Sequence, residues 1–183
     1  MKWLIASDIH GSAYYCRKVI ECFERERAER MLLLGDVLYH GPRNDLPADY
    51  APKRVIELLN ARSADILCVR GNCEAEVDQM VLDFPVLADY LLLPVGEHLI
   101  FATHGHIFNE SHLPPLRPGD ILLHGHTHTA ACVAHETYTY CNPGSVSLPK
   151  PDGKNSYMTL IGSAFAWKTL DGEVFRTFQM DGS

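Results

Sequence analysis

A chain of 183 residues falls in the size range of one domain and is long enough to bury a core without disulfides or a structural metal. With 46% hydrophobic and 21% charged residues, it is neither low-complexity nor disordered. Sixteen Lys and Arg against 23 Asp and Glu give a formal charge of −7, which argues against a dedicated nucleic-acid surface but not against a small anion held in a locally positive cleft. Six cysteines occur without a C-x-x-C pair, which argues against a zinc ribbon. The apolar run in MKWLIASD is too short for a signal peptide, and no stretch of 18 apolar residues offers a membrane span. A cytoplasmic location with reduced thiols and no membrane partner is therefore expected.

In chain order, Lys2 to Ala6 reads as a buried strand that presents Asp8 at its C-terminal end. Ser12 is a candidate N-cap for a helix with Val19, Ile20 and Phe23 on one face, and charges dominate from Glu24 to Arg30. Met31 to Leu34 is a second strand, halted by Gly35-Asp36. Pro52 opens another helix with Val55, Ile56, Leu58 and Leu59 inward. Ile66 to Val69 is a third strand, and a helix is expected over Glu76 to Leu82. Leu91–Leu93, Leu99–Thr103 and Ile121–Leu123 are further strands. After Thr129 short runs separated by turn residues predict hairpins: Val133–Ala134, Thr137–Cys141, Tyr157–Ile161, Phe165–Leu170 and Val174–Gln179. The Pro-rich stretches Leu113–Asp120 and Lys150–Asn155 read as surface loops, and nothing divides the chain, so residues 1–183 are expected to form one domain. A βαβ first half and a mostly antiparallel second half predict an α/β fold of two facing mixed sheets flanked by helices.

One arrangement recurs: an apolar run ends, a metal-ligand residue follows, and Gly stands close by. It occurs at Asp8-Ile9-His10-Gly11, Gly35-Asp36, Gly71-Asn72, His104-Gly105-His106 and Gly125-His126-Thr127-His128. In α/β sheets, ligands bind beyond the carboxyl ends of strands, so these residues should collect at one edge. A single D-x-H or H-x-H is weak evidence, but five such turns in one chain are strong. Carboxylate, carboxamide and imidazole together suit Mn²⁺, Fe or Zn²⁺, and their number exceeds what one tetrahedral site takes.

The motifs SDIHG, LGDV, RGNCE, THGH, GHTH and NPGS, spanning Ser7 to Ser145, resemble the calcineurin-like metallophosphoesterase superfamily. The small size, the GNC variant and LGDVLYHGPRN are similar to its YfcE-type bacterial phosphodiesterases. The resemblance implies a four-layer α-β-β-α sandwich with two divalent ions, Mn²⁺ foremost and Fe, Zn²⁺ or Ni²⁺ as alternatives. It implies that Asp8, His10, Asp36 and His128 hold one ion and that Asp36, Asn72, His104 and His126 hold the other. Asp36 would bridge them, and a metal-bridging hydroxide would attack a phosphodiester. Asp36, Asn72 and His104 are assigned catalytic roles. Two ions, two carboxylates and one hydroxide leave a net positive charge suited to a diester monoanion.

Other residues keep two readings. Cys73 stands where the superfamily more often has His, and it either meets the leaving group or packs beneath the turn. His106 either contacts substrate or supports a ligand. Arg43, with His40 and Asn44, either reaches a phosphate or lies in a solvated loop. Arg70 is either part of the site or of a surface salt bridge. His124 and the Asn142–Ser145 turn read as architecture. A small phosphodiester is the expected partner, and Tyr90–Leu93 leaves homo-oligomerisation open. The competing functions are a phosphomonoesterase of the same fold and a non-catalytic scaffold like the retromer subunit of this architecture.

Overall fold

A computed structural model describes residues 1–180. Strand β1 (Lys2–Ala6) leads to helix α1 (Ala13–Glu26), β2 (Arg30–Leu33), α2 (Pro52–Asn60), a 3₁₀ turn at Ser63–Asp65, β3 (Ile66–Cys68) and α3 (Glu76–Gln79). Then come β4 (Tyr90–Val95), β5 (His98–Thr103), β6 (Asp120–Leu123), β7 (Ala131–Ala134), β8 (Tyr138–Asn142), β9 (Ser156–Ile161), β10 (Ala164–Thr169) and β11 (Val174–Gln179). They form two mixed sheets, ordered β11-β10-β9-β1-β2-β3 and β4-β5-β6-β8-β7. Strands β1, β2 and β3 run parallel in the first, and β5, β6 and β8 in the second.

Strand alternation builds three apolar layers. Leu4, Ala6, Met31 and Leu33 face α1 and α2, while Ile5 and Leu32 turn to the other side of the same strands. There they meet Ile100, Ala102, Ile121 and Leu123 of the facing sheet, with Trp167 and Phe165 closing the layer. Phe101 and Leu122 alternate outward beneath Phe108 and Leu116. That outer cover is not helical: Pro114, Pro115 and Pro118 break any helix there. Among the described residues no helix follows Gln79.

The sequence signals position the first helix well. The Ser12 hydroxyl accepts from the Tyr15 amide at 3.2 Å, and Arg27 closes α1 in the left-handed conformation. Pro52 lies in the first turn of α2. The third helix stops at Gln79, short of the expected Leu82. The Gln79 carboxamide donates to the Leu82 and Phe84 carbonyls and accepts from the Val86 amide. It thereby holds an irregular segment whose Leu82, Phe84 and Val86 are buried.

Glu26 ties the antiparallel strands to α1. Its carboxylate receives Lys2, Tyr157 and Lys168, each at 2.7 Å. Burial would raise its pKa, but hydrogen bonds from Lys168, Lys2 and Tyr157 outweigh this and bring it down to about 2 from its ordinary 4.5. The folded value lies below the unfolded one, so the stabilisation is present above about pH 4.5 and fades as pH falls toward 2. Glu26→Gln is expected to cost ~2–3 kcal/mol at pH 7 and almost nothing at pH 2. Urea midpoints of both proteins across that range check this, and a gap independent of pH would contradict it.

Candidate metal centre

Five parallel strand ends carry the site. Asp8 and His10 follow β1, Asp36 follows β2, Asn72 follows β3, His104 follows β5, and His126 and His128 follow β6. Main-chain bonds knit the first two loops: the amides of Asp8, His10 and Gly11 donate to the carbonyls of Gly35, Asp36 and Val37. From the second sheet the His126 amide donates to Asp8 Oδ2 at 3.1 Å. The Asn142 carboxamide holds the Gly125 carbonyl at 2.8 Å and the Thr127 hydroxyl at 3.0 Å. The hydroxyls of Ser145 and Ser147 both donate to the Asp8 carbonyl. The Asn142–Ser145 turn is thus a brace, as its sequence suggests.

These loops are strained. Seven non-glycine residues among those described have positive φ, and five of them are Asp8, His10, Asp36, His126 and His128. The left-handed region costs such residues ~1 kcal/mol or more each, and strain of this kind gathers at functional sites. Two glycines permit the close approach. A side chain at Gly125 would strike the Ser7 hydroxyl, and one at Gly71 would strike Asp36.

Acceptor atoms converge at the centre. His10 Nδ1 lies 2.9 Å from the Tyr39 carbonyl, His128 Nδ1 2.6 Å from that of Leu148, and His104 Nδ1 2.6 Å from that of Leu34. Carbonyls only accept, so each Nδ1 carries the proton and a neutral ring leaves Nε2 bare. Yet His10 Nε2 faces His128 Nε2 at 3.1 Å, and His104 Nε2 faces His126 Nδ1 at 3.1 Å and Asn72 Oδ1 at 3.0 Å. Asp36 Oδ2 lies 3.4 Å from His104 Nε2 and 3.7 Å from His10 Nε2, and Asp8 Oδ1 is buried with no hydrogen-bond partner. The bare Nε2 atoms of His10 and His128 aim electron pairs at one another and call for a cation, and imidazoles fixed by carbonyls at their other nitrogen are the usual metal-ligating form. Ligand atoms fall into the overlapping groups Asp8-His10-His128, Asp8-Asp36-His104 and His10-Asp36-Cys73, each within 4.8 Å. The donor set fits divalent ions.

Without such a charge, protons respond. Burial disfavours a charged His104, but hydrogen bonding to Asp36 and the charges of Asp8 and Asp36 raise it to about 9. His10 moves up against its burial through hydrogen bonding to Asp8 and both carboxylate charges. Burial opposes ionisation of Asp8, yet His10 and His128 hold its pKa far below the usual carboxylate range.

Of the residues with two readings, Cys73 enters the site. Its amide donates to Asp36 Oδ1 at 2.9 Å, and its Sγ belongs to the group with His10 and Asp36. Burial, then the Asp36 charge, push its thiol far above the ordinary value, so it stays neutral. A cleft of about 260 Å³ opens over Asp36, lined by Arg43, Asn72, Cys73, His126 and Lys150 among others. Arg43 therefore faces this cleft, whereas His106 packs 5.4 Å from the His104 ring and is not among the lining residues. His40 packs edge-on to Tyr39 and Tyr50. His124 stacks on Tyr140 at 4.4 Å, in line with an architectural role.

Sequence reasoning did not single out Lys150 or Glu74. Lys150 stands just beyond the NPGS turn and brings a cation to the cleft. Glu74 is buried, and its carboxylate accepts from the amides of Asp36 (2.9 Å), Val37 (2.7 Å) and Gly71 (2.5 Å). Burial and then the Asp36 charge raise it to about 7, against the pull of those three donors. The available signal was an acid directly after the GNC turn, where a solvated surface residue would otherwise be expected.

The calcineurin-like phosphoesterase superfamily domain matches residues 1–162, which include every residue of this centre. The chain belongs to that superfamily. It is 45% identical over 157 residues to phosphodiesterase YfcE of Escherichia coli, covering 86% of this chain and 85% of that protein. It is 30% identical over 167 residues to the probable metallophosphoesterase YsnB of Bacillus subtilis, covering 87% and 83%. The solved structure of the E. coli phosphoesterase YfcE superposes with a TM-score of 0.95 at 41% identity, over 99% of this chain and 100% of that one. Vps29 of Cryptosporidium parvum shares the fold alone, at a TM-score of 0.61 and 20% identity over 97% of each chain. No helix among the described residues is long and apolar enough to cross a membrane.

Proposed function

We propose that this member of the superfamily is a metal-dependent phosphodiesterase that hydrolyses a small phosphodiester at two divalent ions sharing Asp36. The observation that carries this reading is the gathering of the bare Nε2 atoms of His10, His104 and His128 with the carboxylate oxygens of Asp8 and Asp36. Asp8, His10, Asp36 and His128 would hold one ion, and Asp36, Asn72, His104 and His126 the other. Bound there, the ions would supply Lewis acidity and lower the pKa of a water, with Mn²⁺ the first candidate.

The chain's own residues set the rest. Asp36 Oδ2 lies within 3.7 Å of Nε2 of both His10 and His104, ligands assigned to different ions, as a shared carboxylate must. Asn72 contributes an oxygen without a charge, so the centre stays positive enough for a diester monoanion. Arg43 and Lys150 add positive charge along the cleft wall, where they would meet the phosphate oxygens or a substituent. The cleft's small volume suits a small diester rather than a long polymer.

Metal analysis after chelation and reconstitution, with rates on bis-p-nitrophenyl phosphate and p-nitrophenyl phosphate, tests the reading. Two ions per chain, restored turnover and preference for the diester are expected. One ion per chain, or full turnover after chelation, would sink it. His104 and His10 hold protons more tightly than usual when no ion is bound, so ion uptake at pH 7 should release protons. Calorimetric titration in two buffers of different ionisation enthalpy would measure that release, and a heat independent of buffer would count against these ligands.

Cys73 sets an expectation about leaving groups. General-acid help is worth ~10²–10⁴-fold when an alkoxide departs. A thiol held neutral beside Asp36 supplies little of it, so activated aryl diesters should react much faster than alkyl diesters. Cys73→His should raise the rate on alkyl diesters more than on aryl ones. Rate against leaving-group pKa is the measurement, and equal slopes for both proteins would reduce Cys73 to packing.

A further inference from the structure

Two of the six cysteines face each other away from the metal centre. Cys132 on β7 and Cys141 on β8 are direct cross-strand partners. The His135 amide donates to the Tyr138 carbonyl at 2.8 Å, which makes 135–138 a hydrogen-bonded pair. Hydrogen-bonded and non-hydrogen-bonded pairs alternate along an antiparallel ladder. Counting back three pairs places Cys132–Cys141 at a non-hydrogen-bonded position, where Cα atoms come to ~4.5 Å and side chains approach most closely. That separation lies within the range a disulfide spans.

The pair is placed to react. Strand β7 is the edge of its sheet, so one flank of the hairpin is open. Cys132 is half-buried there, and Cys141 is fully buried behind it. The neighbouring Cys141 thiol first, and the Arg176 guanidinium as well, bring the Cys132 thiol down to about 7, against its partial burial. Cys16, Cys22 and Cys68 are buried, Cys68 lies opposite Leu33 in its ladder, and the Cys73 thiol is held neutral in the cleft.

We propose that Cys132 and Cys141 are a peroxide-oxidisable dithiol that closes into an intramolecular cross-strand disulfide. The Cys132 thiolate attacks one oxygen of the peroxide and the O–O bond breaks. The departing hydroxide takes up a proton, which leaves Cys132 as a sulfenic acid. The Cys141 sulfur then attacks the Cys132 sulfur, the S–S bond forms, and the sulfenic hydroxyl leaves as water with the Cys141 proton. Two thiols lose two hydrogens, and one hydrogen peroxide becomes two waters. The bridge would close one residue pair below Ala131–Asn142. Asn142 braces the loop of His126 and His128, so the bridge would fasten the base of that loop.

The test treats the full chain with a small molar excess of hydrogen peroxide, then counts thiols after denaturation and maps peptides without reduction. The expected result is a fall from six thiols to four, with one peptide pair joined through Cys132 and Cys141 and released by dithiothreitol. Cys132→Ser and Cys141→Ser should each abolish that fall. Because the native chain is mapped directly, the outcome does not depend on how well the variants fold. Six surviving thiols, a first bridge through any other cysteine, or Cys132 carried to sulfinate without a bridge would overturn the proposal.

Discussion

Asp36→Ala is expected to lower turnover by at least ~10³-fold while the chain remains folded. Asp36 lies within 3.7 Å of the Nε2 atoms of both His10 and His104, and its other oxygen orders the Cys73 amide. Each remaining ligand would touch a single ion, so its loss should leave one ion in place. Stability should change little, because removing a buried charge offsets the lost hydrogen bond, itself worth ~1–3 kcal/mol. Asp36→Asn keeps the shape and removes the charge, and it should be nearly as inactive. Rates and metal content measured beside a thermal melt decide the matter. Near-normal turnover in a folded Asp36→Ala protein would remove Asp36 from the centre of the chemistry.

Glu74→Ala is expected to be the most destabilising single change near the site, at about 3–5 kcal/mol. It leaves the amides of Asp36, Val37 and Gly71 without their acceptor in a buried turn. Such a loss is a large fraction of the ~5–15 kcal/mol that holds a typical domain together. Asp36 keeps its side chain in this variant but loses the support of its backbone, so ion affinity should fall along with stability. Glu74→Gln retains one carbonyl acceptor and turns an amino group toward a donor, so it should lie between. Urea unfolding and metal titration of the three proteins provide the check. A Glu74→Ala midpoint equal to that of the parent chain would show that water replaces the carboxylate at no cost.

Much of the centre was legible in the residues. Apolar runs of three to five residues ending in Asp, Asn or His beside Gly marked the strand ends, and parallel strands must deliver those ends to one edge. Sequence periodicity likewise gave the Ser12 cap, the Pro52 helix start and the hairpins after Thr129, because these depend on local backbone chemistry. The composition of the ligand set was also a local property, since imidazole, carboxamide and carboxylate can be read one residue at a time. Other features required the tertiary structure. The opposition of His10 Nε2 to His128 Nε2 joins residues 118 positions apart, and only the facing of two sheets brings it about. Glu74 gained a role only through burial, one amide of its own turn and two amides of a turn nearly forty residues away. The short α3 was decided by Gln79 reaching over to Val86, a preference no helical pattern contains. The pairing of Cys132 with Cys141 depends on ladder register, which the hairpin turn fixes and a shift of one residue would undo. Local sequence sets what each segment prefers and which chemistry it carries, whereas long-range register and burial decide which atoms meet and what charge they hold there.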